Sequence, residues 1–67
     1  MTVGEALREK RIERGKSQVQ LAKETGISQQ NISRWEKGQM LPSIEFCIAL
    51  ADYYGITLDE LVGRDFR

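Results

Sequence analysis

Residues 27–38 read ISQQNISRWEKG, and this segment decides the fold that we expect for the chain. The hydroxyl of Ser28 can accept a hydrogen bond from a free backbone N–H at a helix start, and Gly38 suits the left-handed conformation that often ends a helix. The pattern therefore predicts a helix over about residues 29–37. Helical spacing places one set of side chains on its inner side, where Trp35 is expected to pack in the core. The inner residues are Ile32, Trp35 and Glu36.

The outer side of this helix carries amides and a guanidinium, where an ordinary solvated helix more often carries Glu and Lys. Gln and Asn can pair with the edge of adenine through two hydrogen bonds, and Arg can pair with guanine in the same way. The alternative is a plain solvated surface, because any exposed helix is polar, and the helix alone does not separate the two interpretations. The outer residues are Gln30, Ser33, Arg34 and Lys37, flanked by Gln29 and Asn31.

A chain of 67 residues can form one small domain, so residues 1–67 are treated as a single unit. The sequence contains one cysteine, Cys47, and no histidine. Zinc fingers, histidine-based acid–base catalysis and Cys/His catalytic arrangements are therefore excluded, and no nucleophile–base pair, metal set or phosphate loop is visible. We expect no enzymatic activity, no metal site and no cofactor.

The absence of two sequence features indicates the cellular compartment of the protein. No apolar run reaches the length of a membrane span, and the first residues lack the apolar core of a signal peptide. These features predict a cytosolic protein in which Cys47 stays reduced and packs as a small apolar side chain.

The charges are unevenly distributed along the chain. The net charge is zero, which by itself argues against a nucleic-acid partner, because phosphate binding requires Lys and Arg. Residues 1–38 nevertheless contain eight basic and five acidic side chains, whereas residues 39–67 contain two basic and five acidic ones. The first half is therefore basic and the second half acidic, which describes a polarised molecule.

Capping signals predict four more helices. A Ser or Thr followed three residues later by Glu or Gln is the capping box that opens a helix, and a glycine often closes one. Such boxes are formed by Thr2 with Glu5, Ser17 with Gln20, and Thr57 with Glu60. Ser43, after the only proline, can cap the remaining helix. No strand pattern is present, so we predict an all-α fold, a compact bundle of five helices.

The helix predicted over residues 44–54, IEFCIALADYY, is apolar on nearly every side and is expected to be the central core helix. Its main core face comprises Ile44, Cys47, Ile48, Ala51 and Tyr54. A second face is expected to form a homodimer interface with residues near the C-terminus, the alternative being ordinary core packing. The residues of this predicted interface are Phe46, Ala49, Tyr53, Leu61, Val62 and Phe66.

The second and third helices are separated by about three residues that include Gly26, which is the helix-turn-helix arrangement. The segment 3–63 resembles the Cro/C1-type helix-turn-helix family of phage and bacterial repressors, also called the Xre family. The matching residues are Leu7, Arg11, the run SQVQLAKETGISQQNISRWEKG (17–38), Pro42, Ser43, Ala51, Gly55 and the run TLDELVG (57–63). The resemblance implies a lambda-repressor-like fold, with the helix-turn-helix over about residues 18–37 and the recognition helix over about 29–37.

The resemblance also implies roles for individual residues. The base-reading positions match Gln29, Gln30 and Arg34. Gln18 matches a glutamine that contacts phosphate and braces Gln29, and Lys37 is expected at a phosphate. Arg11 and Glu36 match a buried ion pair that ties the first helix to the end of the third. Backbone or supporting contacts are expected from Ser17, Ser28, Asn31 and Ser33.

These features together predict sequence-specific binding of double-stranded DNA by a homodimer, with recognition helices in successive major grooves roughly 34 Å apart. The operator is expected to be palindromic, and the outcome to be transcriptional regulation, usually repression, by a bacterial or phage-encoded cytoplasmic protein. The low net charge predicts modest affinity that falls quickly with salt. The alternative is a protein-interaction module on the same scaffold, such as an antitoxin.

Overall fold

The computed structural model describes residues 2–64 and contains five α-helices within that range. They are α1 (Val3–Glu13), α2 (Gln18–Thr25), α3 (Gln29–Glu36), α4 (Ile44–Tyr54) and α5 (Leu58–Val62). The described residues form no strand, so the all-α, five-helix fold expected from the sequence is confirmed. Over the same residues, every helix is too short or too polar to cross a bilayer.

Side-chain caps hold the helix starts where the sequence places them. In a complete capping box the cap hydroxyl accepts from the backbone N–H three residues on, and the side chain at that position accepts from the cap N–H. The boxes join Thr2 with Glu5, Ser17 with Gln20, and Thr57 with Glu60. The hydroxyls of Ser28 and Ser43 cap α3 and α4. Because one such cap stabilises a helix by roughly 0.5–2 kcal/mol, even these short helices have defined starts.

One cluster of apolar side chains forms the core between the helices. Ile32 and Trp35 anchor α3 in it, each with only 2% of its surface exposed. The expectation that Trp35 is a core residue is confirmed. The first helix packs against α3 and α5, and α2 packs against α3 and α4, so α3 is held from two sides. The other core residues are Leu7, Leu21, Ile27, Cys47, Leu50, Ala51, Tyr54 and Leu61.

Gly4 allows α1 to lie very close to the end of α3. A Cβ atom at this position would be 2.3 Å from the carbonyl oxygen of Trp35 and 3.0 Å from that of Glu36. A backbone carbonyl cannot swing away as the end of a side chain can, so any larger residue would push the two helices apart. Glycine inside a helix is less stable than alanine, and the close packing of α1 against α3 that it permits offsets this cost.

The expected orientation of α4 is wrong in part. Ile44 and Ile48 were assigned to the buried face, but they are 62% and 46% exposed. The buried side of α4 instead comprises Cys47, Leu50, Ala51 and Tyr54. Because α4 is apolar on nearly every side, the spacing of its apolar residues did not determine which side faces the core.

The residues of the predicted homodimer interface lie in different environments. Leu61 is fully buried within the monomer, so a partner chain cannot reach it and this part of the prediction is wrong. Phe66 lies outside the described residues. The ring of Phe46 is packed 5.1 Å from that of Trp35, although 37% of the residue is exposed. Tyr53 is partly buried and donates a hydrogen bond to Glu24.

Candidate nucleic-acid interface

The turn between α2 and α3 is held by backbone and side-chain hydrogen bonds. Gly26 adopts a φ of +76°, and its N–H donates to the carbonyl oxygen of Ala22 at 2.9 Å. The hydroxyl of Thr25 donates to the carbonyl oxygen of Leu21 at 2.6 Å and accepts from the N–H of Ile27 at 3.2 Å. The side chain of Ile27 is buried in the core. These contacts fix the angle at which α3 leaves the turn.

The outer side of α3 presents one open, shallow depression, which we call the α3 surface. Two of its residues are basic and none is acidic, and the remaining side chains are amides or a hydroxyl. Such groups can donate to and accept from the edges of bases and can donate to phosphate oxygens. The residues of the α3 surface are Gln29, Gln30, Ser33, Arg34, Lys37 and Gln39.

A nearly buried ion pair anchors the C-terminal end of α3. Arg11 donates from Nε to Oε2 of Glu36 and from Nη2 to Oε1, both at 2.8 Å. Its Nη1 also donates to the carbonyl oxygen of Lys16 at 2.8 Å. The hydrogen bonds with Glu36 raise the pKa of the Arg11 guanidinium above its ordinary value. The two side chains that the resemblance pairs are therefore in contact, and they join α1, the segment before α2, and α3.

Gln18 takes part in this network in a way that was not expected. Its Nε2 donates to Oε1 of Glu36 at 3.2 Å, the same oxygen that accepts from Arg11. The expected contact between Gln18 and Gln29 is not formed among the described residues. A carboxylate is a stronger acceptor than a neutral amide, which accounts for the choice of Glu36. Gln18 thus links the start of α2 to the end of α3.

The remaining candidates lie outside the lining of the α3 surface. The hydroxyls of Ser17 and Ser28 accept in the caps of α2 and α3, at 3.0 Å from the N–H of Gln20 and 3.4 Å from the N–H of Asn31. The side chain of Asn31 is partly buried. The structure therefore brings together five of the six residues predicted on the outer side of α3, all but Asn31, and adds Gln39 to them.

Gln39 belongs to the α3 surface, but it was not predicted from the sequence because the helical pattern of α3 ends at Gly38. Its N–H donates to the carbonyl oxygen of Arg34 at 2.9 Å, and Gly38 adopts a φ of +75°. This arrangement is the usual helix ending in which the chain turns back over the last turn. The signal that could have revealed Gln39 is its position directly after such a glycine.

Comparison with known proteins connects this geometry to a family. A model of the helix-turn-helix family matches residues 7–61. The cryptic phage CTXphi transcriptional repressor RstR of Vibrio cholerae is 39% identical over 64 residues, which are 96% of this chain and 57% of that protein. The HTH-type transcriptional activator BcrR of Enterococcus faecalis is 32% identical over 65 residues, 97% of this chain and 32% of that protein. The chain thus spans only part of the length of these relatives.

A solved structure shares the fold. The crystal structure of a transcriptional regulator from Listeria innocua superposes with a TM-score of 0.82 at 29% sequence identity, over 97% of this chain and 61% of that one. All three proteins are named as transcriptional regulators, a class without enzymatic activity, which agrees with the expectation that this chain is not an enzyme. The family model covers most of the sequence, and the fold superposes on that of the Listeria innocua regulator. The chain therefore belongs to the Cro/C1-type helix-turn-helix family.

Proposed function

We propose that the chain binds double-stranded DNA in a sequence-specific manner through the α3 surface. The observation that carries this proposal is the set of amide, hydroxyl and basic side chains, without a carboxylate, that α3 and Gln39 present together. The opposite side of α3 is fixed by Ile32 and Trp35, each 2% exposed, so the polar side cannot turn inward. A single helix fits the major groove, which is about 12 Å wide.

Within this proposal the N-terminal part of α3 reads the bases. Recognition helices present their first residues to base edges, which here are Gln29 and Gln30, and each amide can pair with adenine. Arg34 lies further along the same surface and can pair with guanine. Lys37, at the end of α3, binds a phosphate.

The neighbouring residues supply contacts to the DNA backbone. One amide N–H of Gln18 is engaged by Glu36, which leaves the other to donate to a phosphate. The hydroxyls of Ser17 and Ser28 accept in their caps and remain able to donate through their O–H groups. Ser33 and Asn31 are assigned supporting contacts beside the reading residues.

The binding unit that we propose is a homodimer on a palindromic operator. One α3 reads only a half-site, and two copies related by a two-fold axis place their recognition helices in successive major grooves, roughly 34 Å apart. RstR is named as a transcriptional repressor and is 39% identical over 64 residues, so repression by occupancy of a promoter is the proposed outcome. The proposed location is the bacterial cytoplasm, where the operator is found.

The homodimer interface is proposed on exposed apolar side chains between residues 40 and 48. Leu41, Ile44 and Ile48 are 75%, 62% and 46% exposed, and Glu45 is the one charged residue between positions 38 and 51. Apolar residues with few charges are typical of the centre of an interface. This segment follows Gln39 directly along the chain, so the proposed interface begins next to the α3 surface. Of the residues assigned to the interface from the sequence, Phe46 lies within this segment and is 37% exposed, and Ala49 follows the segment directly.

The experiment that tests the proposed function is selection of bound duplexes from a random pool by the purified chain at near-physiological salt. We expect enrichment of a palindrome whose half-site centres are about one helical turn apart. Failure to enrich any sequence would contradict specific recognition. Co-purification of a protein partner in that case would favour the alternative of an antitoxin-type interaction module.

Two substitutions separate base reading from phosphate binding. Arg34→Ala is expected to cost about 1–3 kcal/mol on the selected duplex and to relax one base position, because it removes a base contact. Lys37→Ala is expected to weaken selected and unrelated duplexes alike and to lower the salt slope by about one. Fluorescence anisotropy with both duplexes measures these effects. Identical behaviour of the two variants would contradict the assigned roles.

A further inference from the structure

Gln39 follows the recognition helix, yet its position is fixed as firmly as that of a helical residue. The N–H of Gly38 donates to the carbonyl oxygen of Trp35 at 3.1 Å, and the N–H of Gln39 donates to that of Arg34 at 2.9 Å. These bonds fold the chain back over the last turn of α3, where Gln39 lies on the same surface as Arg34 and Lys37. Its side chain is exposed.

We infer that Gln39 is a further DNA-contacting residue, whose side-chain amide donates to a phosphate oxygen beside the C-terminal end of α3. The inference rests on the proposed function. Because a recognition helix presents its N-terminal residues to the bases, its C-terminal end lies nearest the sugar–phosphate backbone. Lys37 and Gln39 share that end of the α3 surface. Glutamine amides are common donors to phosphate oxygens, so the side chain suits the place.

A neutral donor has a consequence that a lysine would not have. Neutralising a phosphate with a cation releases condensed counterions, which makes binding weaker as salt rises. The Gln39 amide neutralises no charge, so its hydrogen bond strengthens binding without making the affinity more dependent on salt. The α3 surface contains only two cations, Arg34 and Lys37, and a neutral contact therefore adds affinity that survives at higher salt.

The test is a salt titration of DNA binding by fluorescence anisotropy, with the selected duplex and an unrelated duplex of equal length. Gln39→Ala is expected to weaken binding to both duplexes by the same factor, about 3- to 10-fold, as for one ordinary hydrogen bond. The slope of the logarithm of affinity against the logarithm of salt concentration stays unchanged. Gln39→Lys is expected to steepen that slope by about one and to strengthen binding to both duplexes at low salt.

Two control variants match these changes at other sites. Ile12→Ala shortens an exposed neutral side chain on α1, outside the α3 surface, and is expected to bind both duplexes as the unsubstituted chain does. Asp52→Asn raises the net charge by one unit, as Gln39→Lys does, but on α4, and is expected to leave the salt slope unchanged. Circular dichroism spectra of all variants are compared to confirm that each is folded.

The outcomes separate the inference from the proposed function. If the unsubstituted chain prefers the selected duplex but Gln39→Ala binds both duplexes normally, the inference is overturned and the proposed function stands. A loss confined to the selected duplex, with altered preference at one base pair, overturns the phosphate contact in favour of base reading. A salt slope that stays unchanged in Gln39→Lys also overturns the phosphate contact. If the unsubstituted chain binds neither duplex, the proposed function and the inference both fall.

Discussion

At Glu36, one carboxylate accepts three hydrogen bonds: two from the guanidinium of Arg11 and one from the amide of Gln18. The side chains of Arg11 and Glu36 are only 11% and 5% exposed. If one partner were removed, water could replace few of the hydrogen bonds that the other partner would lose. The pair joins three segments of the chain at the end of α3. Its contribution to stability therefore depends on both partners being present.

Glu36→Gln is expected to lower the free energy of unfolding by roughly 3–5 kcal/mol, because it leaves the guanidinium of Arg11 nearly buried without a counterion. Urea unfolding followed by circular dichroism measures the change. The matched control is Glu24→Gln, which removes the carboxylate of the exposed pair with Lys16 and is expected to have a smaller effect. Equal effects of the two substitutions would contradict a special role for the ion pair at Glu36.

Tyr54 makes stability depend on pH in the alkaline range. Burial raises the pKa of its phenol to about 12, from an ordinary value near 10.0. The folded state therefore favours the neutral phenol, and this contribution is complete below pH 10 and lost as pH rises toward 12. We expect the free energy of unfolding to fall by roughly 2–3 kcal/mol over that range. Tyr54→Phe should remove this part of the pH dependence, whereas the control Tyr53→Phe should retain it. Urea unfolding at several pH values measures the difference.

At the scale of the helices, the contact between α1 and α3 depends on Gly4. Gly4→Ala is expected to cost about 1–3 kcal/mol or more, because its Cβ would lie 2.3 Å from the carbonyl oxygen of Trp35. Glu9→Ala, on an exposed position of the same helix, is the control and is expected to change stability little. Thermal and urea unfolding of both variants measure the difference. Normal stability of Gly4→Ala would show that α1 can move away from α3 at little cost.

The helix boundaries were predictable because the signals that set them are local. Ser28 and Gly38 lie within or next to the helix that they delimit, and the capping box of Ser17 with Gln20 spans only four residues. The inner side of α3 was equally predictable, since Ile32 and Trp35 are the only large apolar residues among polar neighbours in this helix, and both are buried. Local hydrogen bonding and a strong contrast between polar and apolar sides thus sufficed for α2 and α3.

Features that depend on packing between helices could not be predicted in this way. The orientation of α4 was misassigned because Ile48 and Leu50 are equally apolar, and only the arrangement of the other helices decides which one is buried. The hydrogen bond of Gln18 with Glu36 joins residues 18 positions apart, which no spacing rule indicates. Gln39 joined the α3 surface through the geometry of the turn after α3, not through helical periodicity.

For the molecule as a whole, charge and apolar surface are separated along the sequence. The basic half, residues 1–38, contains the helix-turn-helix, and the acidic half contains α4 and α5. Carboxylates on the second half are repelled by phosphates, so this distribution favours the orientation in which α3 faces the DNA. The exposed apolar residues between 40 and 48 lie where the two halves meet. This position suits contact with a second copy that binds the same duplex.

The proposed homodimer interface can be tested by placing a charge on that apolar segment. Ile44→Asp and Ile48→Asp are expected to convert a dimer into a monomer in analytical ultracentrifugation, because a buried, unpaired carboxylate opposes association. Both residues are exposed in the monomer, so each variant should remain folded, and Ile12→Asp on α1 should remain dimeric. Binding to a palindromic duplex should weaken at least tenfold in the monomeric variants, while binding to a half-site duplex should not change. Dimers that persist in both α4 variants would place the interface elsewhere on the molecule.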